Sequence, residues 1–431
     1  MRNKNVLLLI LALLVLGLAS VMFLSACGSE TTETTAPAGE TETTTEAGTD
    51  TTAAPAGTFD GEIVVGALGT LTGAGAMNGA EQVWAYDKAV ADINAAGGVD
   101  VGGKKMELKL KWIDDKSDAN EGAAAVEKLI KVEGTKLILS TQTTPINMAA
   151  AIVAEKYQAY YQQVITWTSM AREQKWQWNS DLFFGPDKVG EVPFLMVELM
   201  PEADRPKNWC ILTEDNADGQ ALGEGVKAVA AAHNINVALY QTYTPATKDY
   251  SSIILKMKEK DIDAIVVLIS AADGITFTKQ MKEQNFSPKY MMGWKGFWPS
   301  EYMQGLGTDS DYVCYDAFWS EQLPYPGAKE LGEAYKAEHD GLDSVSIGLF
   351  YANVQIMKQA IEKAGSTDPA AVRDQVFGGT FTGTAMGDVT YDAGGVADIQ
   401  PLGQQWVNQA RVLIYPEVGN TMQWFKAWDA R

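Results

Sequence analysis

The chain is poor in the residues that most often carry chemistry. Among 431 residues there are three cysteines and two histidines, His233 and His339. No CxxC occurs and no His/Cys cluster has ligand spacing, so a zinc-type centre lacks its donor set. No GxSxG elbow is present and no Ser, His and Asp set stands out, so the nucleophilic-hydrolase signals are missing. These absences predict a chain with no catalytic residues, no metal and no cofactor. Positive charge is also scarce: 34 Lys and Arg stand against 55 Asp and Glu, a net charge of −21. Such an acidic body repels nucleic acid and anionic lipid headgroups. Three cysteines are few for a disulfide scaffold. Cys210 and Cys314 lie in apolar, strand-like runs, 209–212 and 312–318, and both a pair and two buried free thiols are compatible with that placement.

What is present begins with one long apolar run, Val6 to Leu24, preceded by Arg2 and Lys4. A run of this length also suffices for an uncleaved membrane anchor. The basic start and small-residue end favour a signal peptide over residues 1–26. Leu24-Ser25-Ala26-Cys27 resembles the lipobox of bacterial lipoproteins, which implies cleavage before Cys27 and a lipid on its sulfur. Stable anchoring requires more than one acyl chain. Residues 27–57 follow as a Thr-rich, acidic tether with no aromatic or aliphatic β-branched residue from Gly28 to Gly57. That composition predicts disorder, and a coil of this length spans roughly 30 Å. Both readings of the apolar run place the body outside the cytoplasm.

The remaining residues, 58–431, are too many for one core and suit two lobes. They carry −17 of the net charge, since the signal holds two basic groups and the tether six acidic ones. Strand and helix signals alternate from Glu62 onward. Strands are expected at 63–68, 106–113, 137–139, 209–212, 237–240, 264–269 and 290–293. Helices are expected at 79–94, 120–131, 146–157, 219–233, 250–260 and 274–284. Such alternation predicts α/β architecture with parallel sheets covered by helices on both faces. In open parallel sheets ligands bind at the carboxyl ends of strands, and two facing lobes make a cleft.

Several segments then carry a family resemblance: Gly66-Ala-Leu-Gly-Thr-Leu-Thr-Gly73, Ala89-Val-Ala-Asp-Ile-Asn-Ala-Ala-Gly-Gly98 and Asp114-Asp-Lys-Ser-Asp118. With Thr244–Tyr250, Asp261–Val267 and Gly387–Asp392, they resemble the branched-chain amino acid binding proteins of ABC importers over nearly all of 60–416. The resemblance implies a type I periplasmic binding protein fold: two Rossmann-like lobes joined by three crossovers, closing on a ligand. Its boundaries would be 58–184 with 317–398 for lobe 1, and 185–316 with 399–431 for lobe 2.

The resemblance also implies ligand contacts from loops. Gln142, Thr143 and Thr144, in Ser140-Thr-Gln-Thr-Thr144, would hold a ligand carboxylate at a helix N-terminus; an ordinary N-cap is the plainer role. Thr166 and Thr168 would extend that carboxylate site, with Trp167 as a wall, unless this loop is a surface turn. Asn78 falls where the family often has an aromatic wall. Asp218 replaces a common tyrosine; it and Asp273 are either helix caps or partners of a ligand amine. Lys295, in Met292-Gly-Trp-Lys-Gly-Phe-Trp298, departs most from the family, which often has an acid nearby to pair the ligand ammonium. Facing the cleft, it would favour an anionic or carbonyl group; facing solvent, it would mean little. Trp294 and Trp298 would form an apolar or cation-binding wall, or simply pack.

Two further readings were open. Gly73-Ala-Gly75 follows a strand, as in a dinucleotide site, but Asn78 replaces the third glycine. An extracytoplasmic sensor would use the same fold to signal to a membrane receptor. The expected partners are a small amino acid-like solute, ABC permease and ATPase subunits, and a membrane through the lipid on Cys27. No nucleic acid is expected, and the body reads as a monomer.

Overall fold

The computed structural model describes residues 58–73 and 75–431, so the expectations for Cys27, the signal and the tether lie outside the described residues. One seven-stranded sheet has the order β14-β6-β5-β4-β1-β3-β2. Its strands are β1 (Gly61–Gly69), β2 (Val99–Val101), β3 (Lys104–Asp114), β4 (Leu137–Leu139), β5 (Tyr160–Val164), β6 (Asn179–Phe183) and β14 (Val396–Asp398). A second seven-stranded sheet has the order β16-β15-β11-β10-β9-β7-β8. It contains β7 (Asn208–Glu214), β8 (Asn236–Tyr243), β9 (Ala264–Ile269), β10 (Tyr290–Lys295), β11 (Cys314–Ala317), β15 (Leu402–Val407) and β16 (Ala410–Tyr415). A separate hairpin pairs β12 (Thr380–Thr384) with β13 (Gly387–Thr390).

The helices are α1 (Ala76–Ala95), α2 (Ala119–Lys131), α3 (Thr144–Tyr157), α4 (Thr168–Gln174), α5 (Pro186–Glu198), α6 (Ala217–Ala232), α7 (Ser251–Glu259), α8 (Ala271–Glu283), α9 (Ser300–Leu306), α10 (Ala328–Glu338), α11 (Ile347–Ala364) and α12 (Pro369–Val376). The central pairings are parallel, β1 with β3 and β4, and β9 with β7 and β10. Parallel neighbours need a crossover helix on one face or the other. That requirement explains why β4 and β9 read Leu-Ile-Leu and Ala-Ile-Val-Val-Leu-Ile, every residue buried.

The chain passes between the sheets three times: after β6, between β11 and β14, and between β14 and β15. Backbone hydrogen bonds hold these passages, two within the second and one between the third and the end of β6. Phe318 and Trp319 both donate to the Val345 carbonyl, at 3.0 and 2.7 Å, and Ile399 donates to Phe183 at 2.9 Å. Two Rossmann-like lobes with three crossovers is therefore the observed architecture. Cys210 and Cys314 are both free and buried, and burial pushes each thiol well above its ordinary pKa.

Each lobe opens with a strand, a loop and a helix packed closely on that loop. In α1, a Cβ on Gly79 would sit 2.0 Å from the Thr70 carbonyl oxygen; in α6, one on Gly219 would sit 1.9 Å from that of Glu214. Only glycine permits this approach, and it brings both helix starts to the mouth of the cleft.

Candidate functional site

The loop after β1 is held by a dense set of bonds, which the sequence motif Asp114-Asp-Lys-Ser-Asp118 supplies. Asp114 accepts from the backbone N–H of Leu71 and Thr72 and from the Thr72 hydroxyl, the last at 2.6 Å. Buried Asp115 accepts from the Thr70 hydroxyl at 3.0 Å. Ser117 accepts from Gly75 N–H at 3.0 Å and donates to the Thr72 carbonyl at 2.8 Å. Gln142 donates its amide to the Gly75 carbonyl at 2.9 Å. Gly73 has φ +91°, and a Cβ there would meet the Lys116 carbonyl at 2.5 Å. These bonds hold Thr70 to Gly73 and Gly75 against the β3–α2 turn and Gln142.

This loop forms one edge of a cavity of ≈ 620 Å³ between the two sheets. From the first sheet's side it is lined by Asn78, Ser117, Gln142, Thr143, Thr144 and Trp167; from the second by Leu268, Trp294, Lys295 and Trp298. Thr143 is the N-cap of α3, with extended backbone and no side-chain capping bond. The start of α3 therefore offers N–H groups and the helix dipole to the cavity. Thr144 ties two loops together: it donates to the Ile165 carbonyl at 3.2 Å and accepts from Trp167 N–H at 3.3 Å. Asp118, also at the cavity, is spent on capping α2, accepting from Asn120 and Glu121 N–H.

Of the other predicted residues, several lie elsewhere. Thr166 is fully buried and donates to Gln163 Oε1 at 2.9 Å, and Thr168 is buried where Phe184 O accepts from its N–H; neither lines the cavity. Asp273 sits in the first turn of α8 and accepts from Ala246 N–H at 2.9 Å, positioning the loop before α7 rather than facing the cavity. Asp218 belongs to the first turn of α6, and its side chain lies outside the described residues.

Lys295 does face the cavity, but not as a free cation. Its ammonium lies 3.0 and 3.1 Å from the two carboxylate oxygens of buried Glu214. It ends β10 with φ +64°, a conformation uncommon for a residue with a side chain.

Several cavity groups escaped the sequence reading. Phe183, Phe318 and Phe350 join Trp167, Trp294 and Trp298 to make the wall largely aromatic. Ring centroids lie 5.6 Å apart for Trp167 and Phe183, 5.3 Å for Phe183 and Phe318, and 5.4 Å for Phe318 and Trp298. Another is Asp316, on β11. It is 4% exposed, and its Oδ1 has no hydrogen-bond partner. Burial pushes its carboxyl up to about 8. Its signal in the sequence was an acid set inside an otherwise apolar strand. Glu81 lines the cavity as well and accepts from the hydroxyls of Ser344, at 2.6 Å, and Ser346. Burial raises its pKa, against the lowering effect of those hydroxyls and of the Arg411 charge. No cluster of metal-ligating side chains occurs among the described residues.

Comparison with known proteins agrees with this geometry. A family model described as periplasmic binding protein matches residues 62–408. The chain is 24% identical over 335 residues to Leu/Ile/Val-binding protein homolog 3 of Brucella melitensis, covering 78% of this chain and 88% of that protein. It is 23% identical to the Leu/Ile/Val-binding protein BraC3 of Rhizobium johnstonii, covering 77% and 87%. Among solved structures, the substrate-binding protein LivJ of Streptococcus pneumoniae in complex with isoleucine superposes with a TM-score of 0.69 at 19% identity, over 81% of this chain and 97% of that one. With the family model matching most of the chain, and two crossover-linked lobes enclosing a cavity, the chain belongs to the periplasmic binding protein family.

Proposed function

We propose that this protein is the extracytoplasmic solute-binding component of an ABC importer. It captures an amino acid or a related small carboxylate or amide between its two lobes and delivers it to a membrane permease. The observation that carries this reading is the cavity itself, lined from both sheets and opening on the α3 N-terminus with the unspent Thr143 hydroxyl. Closure excludes water and strengthens the charge-assisted bonds inside. A ligand favours the closed form only by as much as it prefers it. Lipid on Cys27 would keep the trap near its permease.

A thermal-shift screen over amino acids, amides and small carboxylates tests the binding role. A true ligand at 100 times its Kd stabilises by about 2.7 kcal/mol. Failure of every such solute to stabilise the protein would remove the reading. Cys27→Ser should release the protein from membranes, and retention would refute the lipid anchor.

A further inference from the structure

Among the described residues three acids line the cavity, and two of them are already occupied. Asp118 caps α2, and Glu81 accepts from the Ser344 and Ser346 hydroxyls. Asp316 is the third. It is nine-tenths buried, one of its oxygens accepts no hydrogen bond, and no basic side chain forms an ion pair with it among the described residues. The cavity's lysine, Lys295, is engaged with Glu214 instead. A buried carboxyl oxygen without a hydrogen-bond partner costs stability in the empty protein, and a ligand cation that paired with it would offset that cost. Its surroundings say what kind. Phe318 follows Asp316 by two residues, just past the end of β11, and both line the cavity. Trp298 meets Phe318 edge to face, and Phe183 adjoins Phe318 from the other sheet. A carboxyl beside aromatic rings suits an ammonium, paired with the acid and stabilised by the rings, while the remaining aromatic wall suits a flat apolar body.

Resting on the binding-protein reading, we propose that the cavity takes an aromatic ligand bearing an ammonium group, with the ammonium on Asp316 and the ring between Trp167, Phe183, Trp294 and Trp298. A carboxylate on the same ligand would reach the α3 N-terminus. Aliphatic amino acids would leave the aromatic wall poorly filled.

Calorimetric titration with four probes tests this: phenethylamine, phenylalanine, 3-phenylpropionate and leucine. Phenethylamine and phenylalanine should bind; 3-phenylpropionate should bind at least tenfold more weakly than phenethylamine, and leucine at least tenfold more weakly than phenylalanine. Asp316→Asn should weaken phenethylamine at least 30-fold, change 3-phenylpropionate less than threefold, and raise the melting temperature of the empty protein. A structural role for Asp316 would instead lower that melting temperature. Equal binding of 3-phenylpropionate and phenethylamine overturns the proposal and points to the cavity's donors; so does equal binding of leucine and phenylalanine. Binding of leucine alone overturns it while leaving the solute-binding reading intact. Silence from all four overturns it too, and the wider solute screen then decides whether the binding role itself survives.

Discussion

The two lobes repeat one frame and diverge in what they put on it. In the first, β1, a pinned loop and α1 meet at Gly79; in the second, β7, a loop and α6 meet at Gly219. Around the first frame the cavity wall carries the hydroxyls and backbone groups, Ser117, Thr143, Thr144 and the start of α3, beside the rings of Trp167 and Phe183. Around the second it is rings and compensated charge: Trp294, Trp298, and Lys295 paired with Glu214. The difference separates two tasks. On the proposed reading the first wall would take a polar group common to many solutes, and the second, with Asp316 on β11, would set which solute fits.

Substitutions test this contrast between the lobes. The largest effects should come from the shared frame. Gly79→Ala and Gly219→Ala each drive a Cβ into a backbone carbonyl, where little can yield. Each should cost about 2–4 kcal/mol in denaturant unfolding, and a loss confined to one of them would show that the frames are not equivalent. A middle effect should come from the second wall alone. Lys295→Met leaves Glu214 buried without its partner and should cost about 1–3 kcal/mol, discounted from a fully buried pair because Lys295 is half exposed. The double variant Lys295→Met with Glu214→Gln should recover most of that loss. No recovery would mean that Glu214 does not depend on the lysine.

The smallest effect concerns the crossover region of the second lobe. His233 lies 2.7 Å from Glu198 and 3.1 Å from Glu191 on α5. Burial disfavours its charge, but the two glutamates outweigh burial and raise its pKa. Raised in the folded state, it contributes stability fully below about pH 6.5 and loses it as pH rises through the folded value. Because the glutamates are half exposed, the contribution is about 0.5–1 kcal/mol. His233→Gln should flatten the stability profile across that window, and an unchanged profile would contradict the assignment.

How much of this was legible in sequence depended on whether a residue's partners were local. Strands β4 and β9 were legible to the residue because their apolar runs are uninterrupted. Strand β5 was missed. Its Gln162 and Gln163 break the apolar pattern, and they are tolerated inside because Gln162 bonds the side chain and backbone of Asn353 on α11, far along the chain. Strand β6 carries Ser180, bonded at 2.7 Å to Tyr160, for the same reason. At the site, Thr143, Thr144, Trp167, Lys295 and Trp298 were reached through the family resemblance, which marks loops beside helix starts and strand ends, and all five line the cavity. Phe183, Phe318 and Asp316 were not, because crossovers bring them together and no local pattern records a crossover. Thr166 and Thr168 had the right composition and the wrong direction: both turn inward from a loop whose neighbours face the cavity.

In the proposed complex one solute touches both walls at once. Titration calorimetry with phenylalanine, which carries a carboxylate, an ammonium and a ring, tests it on the native chain, Thr143→Ala and Trp298→Ala. Binding at one site per chain, weakened at least tenfold by each substitution, is the predicted result. Phenylalanine that fails to bind, or that binds both variants as tightly as the native protein, would contradict it.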